Sequence, residues 1–456
     1  MQNDVAPTVA PSPSAEEDPA KLAEELAKRR AKNLTLPKEP VDPEEVEDTE
    51  KPGDPPKKSK KKLFIALSVI FVLLLAAGGG TAYYFLVYKP EQDNRVDVSQ
   101  ITEKAPSADP EKKKEEPPKI YSRLSGEPIS SEAEDSAPTY CVQVPNGVDG
   151  ARPQVGLTDA KVVFEAIAES GITRFAAIFQ NPPAVIGPIR SLRIYYLNWD
   201  TPFDCTVVHA GGADDAIAAL KTYGSRDLSE DMSYMWRTQS TSALNRLWNN
   251  LFTSGELLKN FNDSKGYLSS DIKAFPRFSP SDAEKNKINL QAVHKLKIDT
   301  PSTGNTDELS PKVAHFSFTF GLIPNFNPVF DYDAETNSYR RSYETGAPHE
   351  VYDCAGQSGE IVPEAVCTPK QLSPSVVIAM VVQEKKAAYD NYHEDIASIG
   401  AGDAYIFQNG DVIKGTWEKS SPTEQILFRN EAGETISLVP GQTWISAVPA
   451  YGSVNF

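Results

Sequence analysis

Leu157 to Phe179 reads LTDAKVVFEAIAESGITRFAAIF, and how LTDAKVVFEAIAES is taken decides the fold. Taken as a helix, it has Thr158 as N-cap and its apolar side chains on one face. The following ITRFAAIF alternates as a half-buried strand does. Upstream, TYCVQV (139–144) is a strand closed by Pro145-Asn146-Gly147. Downstream, the loop QNPPAVIGP (180–188) leads into a helix from about Ile189 to Trp199. The strand DCTVVHA (204–210) follows, then a helix from about Ala213 to Thr222 entered through Gly211-Gly212. Strands separated by helices predict an α/β layer, with ligands at the carboxyl ends of the strands. That arrangement brings Asn146, the neighbourhood of Arg174, and His209 to one rim.

Residues 225–310 show no clear pattern, and from Val313 the chain turns β-rich. VAHFSFTF and SYRRSYE flank the turn-forming DYDAETN, and SVVIAMVVQ is an apolar strand. GDAYIFQNGDVIKGTWEKS is a hairpin whose Asn409-Gly410 fits a type I′ turn. EQILFRNEAGETISLVPGQTWISAVPA adds two or three strands. The expected fold class is α+β: an α/β ectodomain over 138–285, then a β-rich domain over 286–456.

The N-terminal side has a different composition. Residues 1–62 are rich in proline and charge, expected as a disordered cytoplasmic tail. Leu63 to Tyr88 contains no charged residue and is long enough for a transmembrane helix. Five lysines within 57–62 against Lys89 on the far side place the N-terminus in the cytoplasm. A cleaved signal peptide is the alternative, but the charged region then sits deep in the chain for an n-region. Residues 89–137, again charged and proline-bearing, are expected as an extracytoplasmic linker.

The formal net charge is −17, and residues 1–62 hold 14 acidic and 12 basic groups, so the region beyond the span is acidic. An acidic chain without a basic face argues against nucleic acid as a partner. The four cysteines, Cys141, Cys205, Cys354 and Cys367, all follow the apolar span, which fits an oxidising compartment and up to two disulfides. Cys354 with Cys367 inside one loop, and Cys141 with Cys205 between two strands, is the expected pairing. No CxxC or Cys/His cluster supports a metal, no cofactor motif occurs, and GxSxG, HExxH and the P-loop are absent.

Against the acidic background, Gly187-Pro188-Ile189-Arg190-Ser191-Leu192-Arg193 places two arginines three residues apart after a Gly-Pro turn. On a helix opened by Pro188, Arg190 and Arg193 share a face, and the guanidinium fork suits a carboxylate or phosphate. The competing reading is internal pairing with Glu165 and Glu169, which share a face at i and i+4. His209 ends a strand before Gly-Gly, where it either contacts a ligand or is a buried, hydrogen-bonded histidine. Arg340, Arg341, Trp417 and Trp444 also stand out; tryptophans here either pack in the core or stack on sugar rings.

PNGVDGARPQVGLTDAKVVFEAIAESGITRFAAIFQ, IGPIRSLRIYY and VVHAGGADDAI, in that order, resemble the YerB-like extracytoplasmic domain of bacteria, a family of unknown function. YRRSYETGAPHEVYD, GAGDAYIFQNGDVIKGTWEK and LVPGQTWISAVP resemble its β-rich C-terminal partner domain. Matching positions include Arg152, Glu165, Glu169, Thr173, Arg174, Arg190, Ser191, Arg193 and His209. The resemblance implies an envelope protein, commonly a lipoprotein, with no assigned reaction; this chain departs from it in carrying an apolar span.

The expected function is that of a single-pass bacterial membrane protein with extracytoplasmic domains. It would bind an anionic envelope component without catalysing a reaction. Partners would be a cell-wall glycan, a lipid-linked precursor or an envelope protein. Arg174, Arg190, Ser191 and Arg193 would form the contact, Glu165 and Glu169 would orient them, and His209, Arg152 and Asn146 would lie close by. The alternative is a glycan-processing enzyme using Glu165 and Glu169 with the arginines. Two carboxylates on one helix face point the same way, which does not suit attack from both sides of a sugar.

Overall fold

The computed structural model describes residues 120–238, 249–279, 281–282, 313–354, 367–388 and 392–456. All belong to one of the chain's two compact units, Lys112–Phe456. The expected cytoplasmic tail and the 63–88 span lie outside the described residues. Among the described residues, no helix is long and apolar enough to cross a membrane.

The unit is strand-rich and built on one mixed ten-stranded sheet. Its strand order is Leu427–Asn430, Asp411–Lys419, Gly400–Gln408, Val376–Val382, Thr443–Pro449, Val162–Glu169, Ile172–Phe179, Tyr140–Pro145, Thr206–His209, Arg226–Ser229. The central join is parallel: Thr443 to Ser446 pair with Val162 to Glu165. Strands from both sides of the boundary expected at 285–286 therefore share one sheet, and the boundary itself falls outside the described residues. The chain from Ile120 to Ala137, expected as linker, is part of the body. Its strands Ile120–Tyr121 and Pro128–Ile129 pair, and Leu124 is buried in the core.

Successive residues of the central strands face opposite layers. Phe164, Ala166, Ile178 and Ile445 pack with Tyr195, Tyr196 and Trp199 of the helix Ile194–Asp200 and Leu220 of the helix Asp214–Tyr223. On the other face, Val163, Phe175, Ala177 and Trp444 pack with Leu258 and Phe261 of the helix Gly255–Lys265. They also meet Phe316, Phe330 and Tyr339 of a second, four-stranded sheet. The strands are covered on both faces, which sets their composition.

Two helix expectations are corrected. LTDAKVVFEAIAES forms the strand Val162–Glu169, preceded by a single 3₁₀ turn at Leu157–Asp159. Buried on both faces between two partner strands, it keeps no polar alternation, and β-branched Val162, Val163 and Ile167 suit the pleat. The helix expected from Ile189 starts at Ile194, with Arg193 at its N-cap. Pro188 follows a cis bond, and the chain from Ile189 to Leu192 runs extended. There Arg190 N donates to Gln143 O (2.8 Å), while Arg190 O accepts from Ala210 N (3.0 Å). Arg190 and Arg193 thus do not share a helical face.

Several local readings match. Tyr140–Pro145, Ile172–Phe179 and Thr206–His209 are strands, and Asp214–Tyr223 is a helix. Asn409 and Gly410 both have positive φ, as the hairpin turn requires. Both expected disulfides are formed, Cys141–Cys205 and Cys354–Cys367.

Candidate functional site

The run Ile189–Leu192 lies beyond the parallel pairing of Tyr140–Pro145 with Thr206–His209, bonded to Gln143 on one side and to Ala210 and Gly211 on the other. It delivers Arg193 and the Ser191 carbonyl to Arg174, which stands on the neighbouring strand at the Pro145 level. Arg174 Nη1 donates to Ser191 O (2.6 Å), and its Nη2 lies 2.8 Å from Glu169 Oε1. Arg193 Nη2 is 3.0 Å from Glu169 Oε2. One carboxylate thus serves two buried guanidinium groups, and the Nε of each has no hydrogen-bond partner among the described residues. Burial pushes the Arg174 and Arg190 guanidinium groups below their ordinary pKa, with Glu169 opposing the shift. Arg190 is half-buried at the edge of this cluster.

A register shift sends Glu169 there. Glu165, Ile167 and Glu169 would point to one side of a regular strand, but the pairing slips between Ile167 and Glu169. Glu169 then reaches Arg174 on the face covered by the helix Ile194–Asp200, while Glu165 bonds on the opposite face. The hydroxyl of Tyr195 satisfies the Ile167 carbonyl at the slip (2.8 Å), and Tyr196 satisfies Ala166 (3.0 Å). The two carboxylates expected side by side are therefore separated by the sheet.

Glu165 has a different partner. Arg341, on the strand Ser338–Tyr343 of the second sheet, lies 2.9 Å from its Oε1, and both side chains are fully buried. Trp444 Nε1 donates to Glu165 Oε2 (2.9 Å). A closed hydrogen-bond ring runs through the pair. Arg341 donates to His349 Nδ1, and His349 Nε2 lies 3.0 Å from Gln154 Oε1. Gln154 Nε2 donates to Asn146 Oδ1 (3.1 Å), Asn146 Nδ2 to Thr173 Oγ1 (2.7 Å), and Thr173 to Glu165 Oε1 (3.1 Å). Every step donates away from the arginine and ends on the glutamate. Burial, then Arg341 and Arg152, hold the His349 pKa well below the ordinary histidine value, so it is neutral and can accept at Nδ1. Arg152 donates to Asn146 Oδ1 (2.8 Å) and to Asn325 O (2.7 Å), with its guanidinium 3.8 Å from the Tyr343 ring centre.

The structure thus divides the expected site residues between two places. Arg174, Arg193, Glu169 and the Ser191 backbone form one cluster, with Arg190 at its edge. Asn146, Arg152 and Glu165 belong to the buried ring. His209 is fully buried, its nitrogens 2.7 Å from Gly211 O and 2.9 Å from Asp227 Oδ1, so it is engaged locally. Trp417 and Trp444 are core residues, and Arg340 faces Asp333 at the surface (3.3 Å). The ring residues Gln154 and His349 were not singled out from the sequence, where neither carries a mark of its partner. Among the described residues, no group of His, Cys, Asp and Glu could hold a metal ion.

Comparison with known proteins bears on both places. Residues 124–268 match the N-terminal domain, and residues 322–445 the C-terminal domain, of a family described as "Protein of unknown function (DUF3048)". The chain is similar to a Bacillus subtilis protein named "Putative lipoprotein YerB", 26% identical over 339 residues that cover 73% of this chain and 87% of that protein. A crystal structure of the YerB protein from Bacillus subtilis shares the fold with TM-score 0.54 and 23% identity, covering 74% of this chain and 100% of that one. The arginine cluster and the buried ring lie within the two matched segments. With both domains matched in order, the chain belongs to the DUF3048 family, the family of YerB.

Proposed function

We propose that this protein is a membrane-anchored extracytoplasmic envelope protein that binds an anionic envelope component at the Arg174–Arg193 cluster, without catalysing a reaction. One observation carries it: two buried guanidinium groups share the single carboxylate of Glu169, and each has an Nε without an acceptor. A buried charge ordinarily acquires a full complement of partners, so a cation-rich site in an acidic chain favours an incoming anion. The kinship with a protein named as a lipoprotein supports an envelope location, and the 63–88 stretch would supply the anchor here in place of a lipid.

The test is retention on cell walls. Full-length protein in neutral phosphatidylcholine nanodiscs is sedimented with purified walls, either intact or stripped of their anionic polymers. The expected result is co-sedimentation with intact walls only, lost in Arg190→Gln with Arg193→Gln while circular dichroism shows the double variant still folded. Equal sedimentation with stripped walls, or by the double variant, would overturn the proposal.

A further inference from the structure

The strands Glu384–Lys386 and Glu394–Ile396 pair antiparallel as a separate two-stranded element, outside the ten-stranded sheet. It is seated on the face that carries the arginine cluster, where Ile396 is buried in the same core as Tyr195 and Tyr196. Just past the second strand, Ser398 Oγ accepts from Asn198 Nδ2 (2.8 Å) of the helix Ile194–Asp200, whose N-cap is Arg193. Just before it, the backbone of His393 forms an antiparallel bridge with that of Glu169. The element therefore holds the backbone of the residue whose carboxylate neutralises Arg174 and Arg193.

Its first strand begins with a carboxyl group poorly provided for as an anion. Glu384 Oε1 accepts from the Tyr451 hydroxyl (2.8 Å), while Oε2 is buried without a hydrogen-bond partner among the described residues. Burial pushes the Glu384 pKa up to about 7; Tyr451 opposes this, Glu394 on the facing strand adds to it, and Lys386 opposes it. Lys386 is itself paired with Glu394, and Lys385 with Asp395 at the surface. Burial also pushes the Tyr195 pKa up, Arg174 and Arg193 oppose this, and Glu169 and Glu384 both add to it. Glu384 thus lies within electrostatic reach of the tyrosine whose hydroxyl satisfies the register slip.

We infer that the two-stranded element is a proton-controlled latch on the anion site. With Glu384 protonated, it holds Glu169 against the arginines; loss of that proton loosens it and frees the guanidinium groups for an external anion. The effect on binding rests on the anion-binding role of the cluster, whereas the latch itself does not. Seated, Glu384 has a pKa of about 7; lifted into water, it regains the ordinary 4.5. Between these values the seated element holds the extra proton, so lifting becomes easier by up to about tenfold per pH unit and levels off above pH 7.

Amide hydrogen exchange of full-length protein in neutral phosphatidylcholine nanodiscs, read by mass spectrometry from about pH 5 to about pH 8 and corrected for intrinsic rates, measures the lifting. Protection of peptides covering Glu384–Lys386 and Glu394–Ile396 should fall by up to about tenfold per pH unit until pH 7, and stay constant in Glu384→Gln. Protection that ignores pH in the parent, or falls equally in the variant, would overturn the latch. Affinity for a glycerol-phosphate oligomer at constant ionic strength should rise over the same range in the parent and stay low in Glu384→Gln. Constant affinity in a parent whose element loosens would overturn its control of the site. Absence of binding at every pH would instead remove the anion site, with the exchange measurement still deciding the latch.

Discussion

Glu165 and Arg341 stand 176 positions apart in the chain, yet their side chains meet at 2.9 Å with both fully buried. The ion pair joins a strand of the large sheet to a strand of the second one, and therefore the two family-matched segments to each other. Removing one member leaves an uncompensated charge in the interior. Arg341→Met is expected to lower unfolding free energy by about 3–5 kcal/mol, and adding Glu165→Gln should restore part of the loss. Denaturant unfolding of the two variants measures both effects.

The disulfides should contribute unequally. Cys141–Cys205 closes a separation of 64 residues and Cys354–Cys367 one of 13. In the chain-entropy model these contribute about 4 and about 3 kcal/mol. Replacing each pair by alanine should lower stability in that order, measured by equilibrium unfolding under oxidising conditions.

Glu384 gives the fold a pH dependence of predictable sign. Burial, reinforced by Glu394, pushes its pKa up to about 7, although the Tyr451 hydroxyl at 2.8 Å favours the charged form. A carboxyl with a folded-state pKa above its unfolded value binds more protons when folded, so its contribution to stability falls as pH rises between the two values. From about pH 4.5 to pH 7, Glu384 should therefore weaken the native state progressively. In Glu384→Gln that part of the decline should vanish, so the difference in melting temperature between variant and parent should grow toward pH 7.

Much of the fold was legible where an element is amphipathic or sharply punctuated. Ile172–Phe179 alternates, Asn409-Gly410 marks its turn, and the helix Asp214–Tyr223 runs from a Gly-Gly entry to Gly224. The helix Gly255–Lys265 also had its signals, Ser254 as N-cap and Gly266 as C-cap, inside the region that showed no overall pattern. Val162–Glu169 was not legible, because burial on both faces removes the alternation that separates strand from helix. The arginine cluster was half legible. Residue type flagged Arg174, Arg193 and Glu169, but their meeting depends on the register slip after Ile167, which has no local sequence signature. Glu165 was flagged with the wrong partner, since Arg341 reaches it only through the pairing of distant sheets.

The central claim is that the guanidinium pair of Arg174 and Arg193 accepts an external anion in competition with Glu169. The most direct measurement is the affinity of full-length protein, in neutral nanodiscs, for a soluble glycerol-phosphate oligomer, compared among parent, Arg193→Gln and Glu169→Gln. Removing the internal carboxylate should tighten binding, and removing the guanidinium should abolish it. Weaker binding by Glu169→Gln in a folded protein, or unchanged binding by Arg193→Gln, would contradict the account.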